Sequence, residues 1–350
     1  VGLGELGMGL AWERVWAPRW GRKGFGGLFA ACGRRALGVD IGAAGVRWVE
    51  LARGRDGRDT LAAFGRVEPP AGLLVDGPAD HTTAWARVVQ GTLQQGMGGT
   101  RRAAMALPTA GVLLRRARFR ARLSEPELAA YVHGEAASWA PFPVEALALD
   151  FAVMGPASGA GAGDEVEVLM AAARQDRVQW RQDVAQAAGL DLAVMDTESN
   201  AMMLALQGWR PPKGQVGPGE ALALIDLGPS SLTVRVLLHD EMVFERAEDT
   251  RVEEGHPTGL SAEAALIGRC LLQVQSAHPG CRLVGVALAG ESKARLGLPE
   301  VLTRVAGVPV WWMDPFVHLH TGAPGVQRSD PPQACAYVLA CGLAWRALAP

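Results

Sequence analysis

Two short segments carry residues arranged for one kind of chemistry. Leu37-Gly38-Val39-Asp40-Ile41-Gly42 and Leu224-Ile225-Asp226-Leu227-Gly228 each end an apolar run in Asp-x-Gly. Each then passes a small-residue turn (Ala43-Ala44-Gly45, and Pro229-Ser230-Ser231) and resumes as a second run, Val46 to Leu51 and Leu232 to Leu238. Glycine lets backbone come close to an anion, and turn amides pointing inward form a nest for it. An aspartate at the strand end can hold Mg²⁺ through water, because that ion dehydrates reluctantly. Facing each other, two such hairpins would grip a nucleotide's phosphates from both sides. A lone Asp-x-Gly reads as an ordinary hairpin turn. Its recurrence 186 residues later, at the head of the chain's other half, favours the clamp. Leu288-Ala289-Gly290, after a buried run, falls where a nucleoside would lie in a duplicated design.

Other chemistries find little support. The five cysteines, Cys32, Cys270, Cys281, Cys335 and Cys341, form no C-x-x-C pair, which argues against a disulfide framework and a zinc site and fits a reducing compartment. Cys335 and Cys341 lie in an apolar helical run and read as core. His318 and His320 have no acidic or cysteine company. No Ser-His-Asp or Cys-His constellation competes. Glu198 could position a water for hydrolysis, or could simply be a helix N-terminal carboxylate favoured by the helix dipole.

The elements that must position these residues alternate regularly from Ala36 onward. Ala103 to Leu107, ended by Pro108, reads as a central buried strand. In Val112 to Arg122, Arg116, Arg118, Arg120 and Arg122 alternate with Ala117, Phe119 and Ala121, so period two puts four arginines on one strand face. That row is either a solvated face or an interface. Ser124-Glu125-Pro126-Glu127 is a capping-box helix start, stopped by Pro141-Phe142-Pro143. Strands over 147–154 and 166–172 flank a glycine-rich loop at 155–163, and helices follow over 177–188 and after Asp196. Residues 208–220 form the best linker, after which the opening pattern returns. Helices are expected over 261–276, 301–306 and 332–348, with strands over 221–225, 242–246, 283–288 and 308–313.

Length and composition agree with a two-part globular chain. The 350 residues are 49% hydrophobic and 20% charged, with a formal net charge of −2, so no global field points to nucleic acid. The 31 Arg against 3 Lys read first as codon bias. No stretch reaches the ~18 consecutive apolar residues of a membrane span. Residues 1–35 hold six Arg/Lys against two Glu, with three Trp. They are expected to be a poorly ordered leader, residues 1–24 in part a misplaced start, since the chain opens with Val. A membrane-surface role for Trp12, Trp16, Trp20, Arg19, Arg22 and Lys23 is the other reading.

The duplicated clamp resembles the actin-like ATPase superfamily, which implies an α/β fold of two ribonuclease-H-like halves around a cleft. The resemblance narrows through Leu37 to Gly42 with Val46-Arg47-Trp48-Val49-Glu50-Leu51, Ala106-Leu107-Pro108, Leu123 to Leu128, Glu135, and Trp139-Ala140-Pro141-Phe142-Pro143. Asp150-Phe151, Ala171 to Arg174, Gly189-Leu190, Asp196 and Asp314-Pro315-Phe316 continue it in order. Together these are similar to the type IV pilus assembly protein PilM family over about residues 36–316. The resemblance implies a first half over 36–210, carrying an inserted small α/β subdomain at about 119–190, and a second half over 211–350. It implies a cytoplasmic scaffold, peripheral to the inner membrane through its partners, that docks the N-terminal peptide of the inner-membrane protein PilN at the inserted region. Self-association stays open. An ATP-hydrolysing switch of the same fold is the alternative, and a filament-forming FtsA-like protein a third reading. The third would need an amphipathic membrane tail, whereas Pro332 to Leu348 is apolar all round.

In this family frame Asp40, Gly42, Arg47, Asp226, Gly228, Ser230, Ser231 and Gly290 would line an ATP site, with Mg²⁺ on Asp40 and Asp226 through water. Several positions depart from the family pattern. Ala43, Ala44 and Arg47 stand where a serine and a lysine are usual, and Pro229 removes one backbone donor. Between Glu248 and Ser261 the chain is too short for the usual small subdomain over the adenosine, which is expected to be reduced or absent. Glu291 brings a carboxylate toward the phosphates, repulsive unless Mg²⁺ or Arg offsets it.

Overall fold

A computed structural model describes residues 34–77, 79–94, 99–157, 164–209, 211, 216–217, 219–238, 241–250, 259–291, 293–321 and 330–349. The leader up to residue 33, most of the glycine-rich loop, part of the linker and residues 251–258 lie outside the described residues.

The first sheet is built from β1 (Arg34–Gly42), β2 (Gly45–Arg53), β3 (Asp59–Val67), β4 (Arg102–Leu107) and β8 (Asp191–Thr197), joined at one edge by the two-residue β14 (His320–Thr321). Its order is β14-β3-β2-β1-β4-β8. The first three strands form an antiparallel meander, and β4 and β8 add parallel to it. The apolar run read as a central strand is β4, buried between β1 and β8. The second sheet repeats the plan with β9 (Glu220–Leu227), β10 (Ser231–Leu238), β11 (Glu241–Asp249), β12 (Arg282–Gly290) and β13 (Val310–Trp312) in the order β11-β10-β9-β12-β13. Again the first three are an antiparallel meander and the last two are parallel. Both Asp-x-Gly segments therefore end the first strand of a meander, one in each half.

A third, three-stranded sheet contains β5 (Val112–Arg120), β6 (Leu147–Pro156) and β7 (Glu165–Arg174), all antiparallel, in the order β5-β7-β6. One of its faces is covered by α2 (Glu125–Trp139), through Leu128 and Val132 against Val168 and Met170. Glu127 accepts hydrogen bonds from both the backbone N–H and the hydroxyl of Ser124, at 2.8 and 2.6 Å, so the capping box fixes that helix start. The inserted unit thus spans residues 112–174. The helix α3 (Gln175–Ala187), which lies inside the expected 119–190, packs instead on the first sheet together with α1 (Ala79–Gln94). Arg122 lies beyond the end of β5, so the arginine row is three long on the strand. The row is largely compensated. Arg116 pairs with Glu167 at 3.2 Å and Arg122 with Asp164 at 2.6 Å, while Arg120 sits opposite Glu165 in the ladder.

Between the two large sheets lie α4 (Glu198–Gly208) and α8 (Val338–Leu348), which share one core with both. They cross so closely that a Cβ on Gly342 would stand 1.9 Å from the Ala201 carbonyl oxygen. Cys335 and Cys341 are fully buried here, as their apolar surroundings suggest. The segment expected to belong to the second half turns back: β14 joins the first sheet, and α8 packs on β1. Arg346 of α8 is tied to buried Asp196 of β8 at 2.7 Å. The outer face of the second sheet is covered by α5 (Leu260–Ala277) and α6 (Leu298–Ala306), while α7 (Pro331–Ala334) is a single turn leading into α8. The chain runs from Asp249 at the end of β11 to Leu260 at the start of α5 with no element among the described residues. Among the described residues no helix is long and apolar enough to cross a membrane.

Candidate functional site

The two clamp turns face one cleft. Its cavity of about 780 Å³ is lined by Ala43, Ala44 and Arg47 from the first clamp, by Pro229 from the second, by residues 66–73 at and beyond the end of β3, and by Gly259, Leu260, Glu263, Glu291 and residues 293–295. That volume lies within the ~300–1,000 Å³ usual for a small-molecule site.

In the first clamp, Arg47 of β2 stands directly opposite Asp40 of β1 in the ladder. Its guanidinium reaches Asp40 at 3.3 Å and continues to the carboxylate of Glu291, in the other half. The acid expected to repel a phosphate is thus held by an arginine of the same cleft. Burial pushes the Asp40 carboxyl up, Arg47 opposes that shift, and the charge of Asp226 adds to it. Gly42 ends β1, and no atom but the Asp40 Oδ1, at 3.8 Å, approaches the space its side chain would take.

The second clamp is closed on itself. The Gly228 N–H donates to the Ser231 carbonyl at 2.8 Å, and Thr250 N–H to that of Ser230 at 2.9 Å. Ser230 and Ser231 are exposed. Gly290, with φ +89°, ends β12 against this turn: a Cβ there would meet the Leu227 carbonyl oxygen at 2.4 Å and Asp226 Oδ1 at 2.9 Å. Only glycine fits that approach. The next residue, Glu291, donates its N–H to Leu227 O at 2.7 Å. Gly290 therefore braces the second clamp and sets the direction in which Glu291 leaves the sheet.

Beside the clamp carboxylates lie residues that the motifs alone did not reveal. Arg235 of β10 is fully buried, donating to Glu245 of β11 at 2.7 Å and lying 3.9 Å from Asp226. It also reaches across to the first half, to Thr109 Oγ1 at 3.2 Å and Ser199 Oγ at 3.4 Å, and those two hydroxyls bond each other at 2.6 Å. A signal for it was present in the sequence: one charge inside Leu232-Thr233-Val234-Arg235-Val236-Leu237-Leu238 must be paired if that strand is buried. Glu198, at the start of α4, accepts a hydrogen bond from Thr109 N–H at 3.2 Å. Its carboxyl is pushed up to about 7, first by burial, then by the charges of Asp226 and Asp40, with Arg235 acting against them. The charges of Asp40 and Asp226 thus both act on Glu198, while Ser230 and Ser231 are exposed and lie outside the cavity lining. Such a carboxyl, half protonated near neutrality, is suited to taking or giving a proton.

Two recesses border the inserted sheet. A narrow, mainly apolar one of about 60 Å³ lies at its seam with the first half, between Val112, Ala148, Leu149 and Ala171–Ala173 on one side and Leu107, Val178, Leu192, Ala193 and Met195 on the other. It has room for a side chain but not for a nucleotide. Asp150 opens into it, and burial pushes that carboxyl up to about 6. A wider groove of about 1170 Å³ runs from Leu114, Arg116 and Leu169 past α4 to Met242 and His318–His320. His318 and His320 are exposed, and among the described residues no cluster of three metal-ligating side chains occurs.

Comparison with known proteins places this geometry. A family model described as type IV pilus assembly protein PilM matches residues 38–250. A chain of a PilM–PilN type IV pilus biogenesis complex is similar at 26% identity and a TM-score of 0.68, over 90% of this chain and 99% of that one. A protein of actin-like ATPase fold from Bacteroides thetaiotaomicron aligns at 8% identity and a TM-score of 0.45, over 79% and 90%. The ethanolamine utilization protein EutJ from Carboxydothermus hydrogenoformans aligns at 15% identity and 0.43, over 91% and 90%.

Proposed function

Because the chain belongs to the type IV pilus assembly protein PilM family, with the actin-like α/β fold of two halves around a cleft, we propose that it is a docking scaffold of the pilus assembly machinery. Its ligand is the cytoplasmic N-terminal peptide of a PilN-like inner-membrane protein, and it works at the cytoplasmic side of that membrane through this contact. The similar solved complex pairs PilM with PilN. The observation carrying the reading here is the seam recess: an apolar slot the size of an anchoring side chain, with one half-buried, perturbed carboxyl, Asp150, in its wall. Apolar walls supply binding energy and the lone acid fixes orientation, for instance by accepting from peptide N–H groups.

The test is fluorescence anisotropy of a labelled synthetic peptide, copying the N-terminus of the PilN-like protein from the same organism, titrated with the full chain. Saturable binding is expected, reduced about tenfold or more by Ala193→Leu, which fills the slot, and less by Asp150→Asn. Both residues are partly exposed, so the fold tolerates the changes, and circular dichroism confirms it. No binding to the unaltered chain, or binding that ignores both substitutions, overturns the reading.

A second reading, favoured by the cavity between the clamp turns, is an ATP-binding switch. Asp40, Gly42, Arg47, Asp226, Gly228, Ser230, Ser231 and Gly290 would border the nucleotide, and Glu198 would act on an attacking water. It predicts that ATP changes peptide affinity and that Asp40→Ala abolishes the change; peptide affinity indifferent to ATP removes it.

A further inference from the structure

The cleft contains cations that neither clamp uses. Arg66 of β3 and Lys293, in the short turn after β12, line it from opposite halves. Both are exposed, and neither has a hydrogen-bond or ion-pair partner among the described residues. Lys293 is one of only three lysines in a chain with 31 arginines. Between them lies Arg47, 8% exposed, whose Nε–H is buried with no acceptor although its terminal nitrogens reach Asp40 and Glu291. A buried donor left unmade is costly, so this arrangement is open to a better acceptor. The remaining charged lining groups are Arg295 and Glu263, paired at 2.8 Å, and the exposed Glu68.

The same geometry does not fit Mg²⁺. The two clamp carboxylates each face a guanidinium, Asp40 at 3.3 Å from Arg47 and Asp226 at 3.9 Å from Arg235. A divalent cation held on these carboxylates would sit against two fixed positive charges. An oxyanion meets the opposite situation, since guanidinium presents a planar fork matched to phosphate and lysine adds a mobile charge.

We infer that the cleft takes a phosphate-bearing anion directly on Arg47, Arg66 and Lys293, without a divalent metal, the anion displacing Glu291 from Arg47. Glu291 is then the internal competitor that occupies Arg47 when no anion is present. The inference concerns the cleft alone, and the peptide titration above reports separately on docking, so the two fail independently.

The experiment is calorimetric titration of the full chain with pyrophosphate, ADP and ATP, each in EDTA and in excess Mg²⁺. Saturable binding in EDTA is expected, equal or weaker with Mg²⁺. The double variant Arg66→Ala, Lys293→Ala should lose about tenfold or more, because each removes a charge-assisted contact. Glu291→Gln should tighten binding several-fold by freeing Arg47. Pyrophosphate matching ADP would identify the phosphates as the whole ligand, and tighter ADP would add the nucleoside; both support the inference. Binding that requires Mg²⁺, binding indifferent to the double variant, or no binding at millimolar ligand overturns it. Since Arg66 and Lys293 are exposed, an unchanged thermal melt of the double variant excludes misfolding as the cause of a loss.

Discussion

The two clamps share a plan yet use their arginines differently. In the first, Arg47 lies at the wall of the cavity and shares itself between Asp40 and the opposite half's Glu291, whose side chain is 26% exposed. In the second, Arg235 is fully buried and meets Glu245, Thr109, Ser199 and the Met202 sulfur. Each arginine starts in one half and ends in the other, so the halves are tied by two reciprocal fasteners. The difference is access: Arg47 lines the cavity, whereas Arg235 is fully buried away from it. A wet fastener can exchange its partner for a ligand at little cost, whereas a dry one cannot release without stranding a charge.

That contrast is broken most directly at the dry fastener. Arg235→Met should destabilise the chain by about 3–5 kcal/mol, the usual cost of removing one partner of a buried ion pair. Urea unfolding would measure it. A loss under about 1 kcal/mol would mean that Arg235 is no more committed than Arg47, and the comparison would collapse. Glu198, beside the same arginine, gives the next effect. Its carboxyl titrates at about 7 in the folded chain against an ordinary 4.5. The folded state therefore holds a proton that the unfolded state has released between those values. Stability from this group is fully present below pH 4.5 and is lost as pH rises through 7, about 3 kcal/mol in all. Glu198→Gln should flatten that slope and leave the chain more stable than its parent at pH 8 but not at pH 4. A variant with the parent's slope would place the titration elsewhere, on Asp40 or Asp196, whose carboxyls burial also pushes up.

Gly290→Ala comes third. The added methyl would require a positive φ of an L-residue and would press on the Leu227 carbonyl, costing about 2–3 kcal/mol. Because Glu291 follows directly, the same change should swing the wet fastener away from Arg47. Thermal melting reads the first effect. A destabilisation with no change in anion affinity would separate the brace from the fastener.

The fold was legible because its signals are local. Asp40-Ile41-Gly42 and Asp226-Leu227-Gly228 mark strand ends, Pro108 closes β4, and Ser124 with Glu127 starts α2. The two clamp turns border one cavity through Ala43, Ala44, Arg47 and Pro229, each turn following the first strand of its meander. What stayed hidden is what depends on the meeting of distant segments. Nothing adjacent to Arg235 in sequence announces Thr109 or Ser199, and Glu291 reads as a liability until Arg47 is seen beside it. The return of α8 to the first sheet is similarly non-local, since an apolar helix does not declare which of two sheets it will cover. The inserted sheet begins at Val112, the start of the strand already legible in the sequence, seven residues before the expected 119.

The smallest expected effect is at Arg47 and Glu291, and it bears most closely on the difference between the fasteners. A double-mutant cycle with Arg47→Ala and Glu291→Gln isolates the pair's coupling from the losses of each residue alone. Arg47 also holds Asp40, so Arg47→Ala will cost more than the coupling does. The coupling itself should be about 0.5–1 kcal/mol at low salt, as for other pairs with solvent access, and should shrink in 1 M salt. The corresponding cycle for Arg235 and Glu245 should give a larger, salt-insensitive term. Equal couplings would mean that both seams are equally dry, and then no ligand could displace Glu291 more readily than Glu245. A weak, screened term at the first clamp beside a strong one at the second would show which of the two arginines is free to change partners.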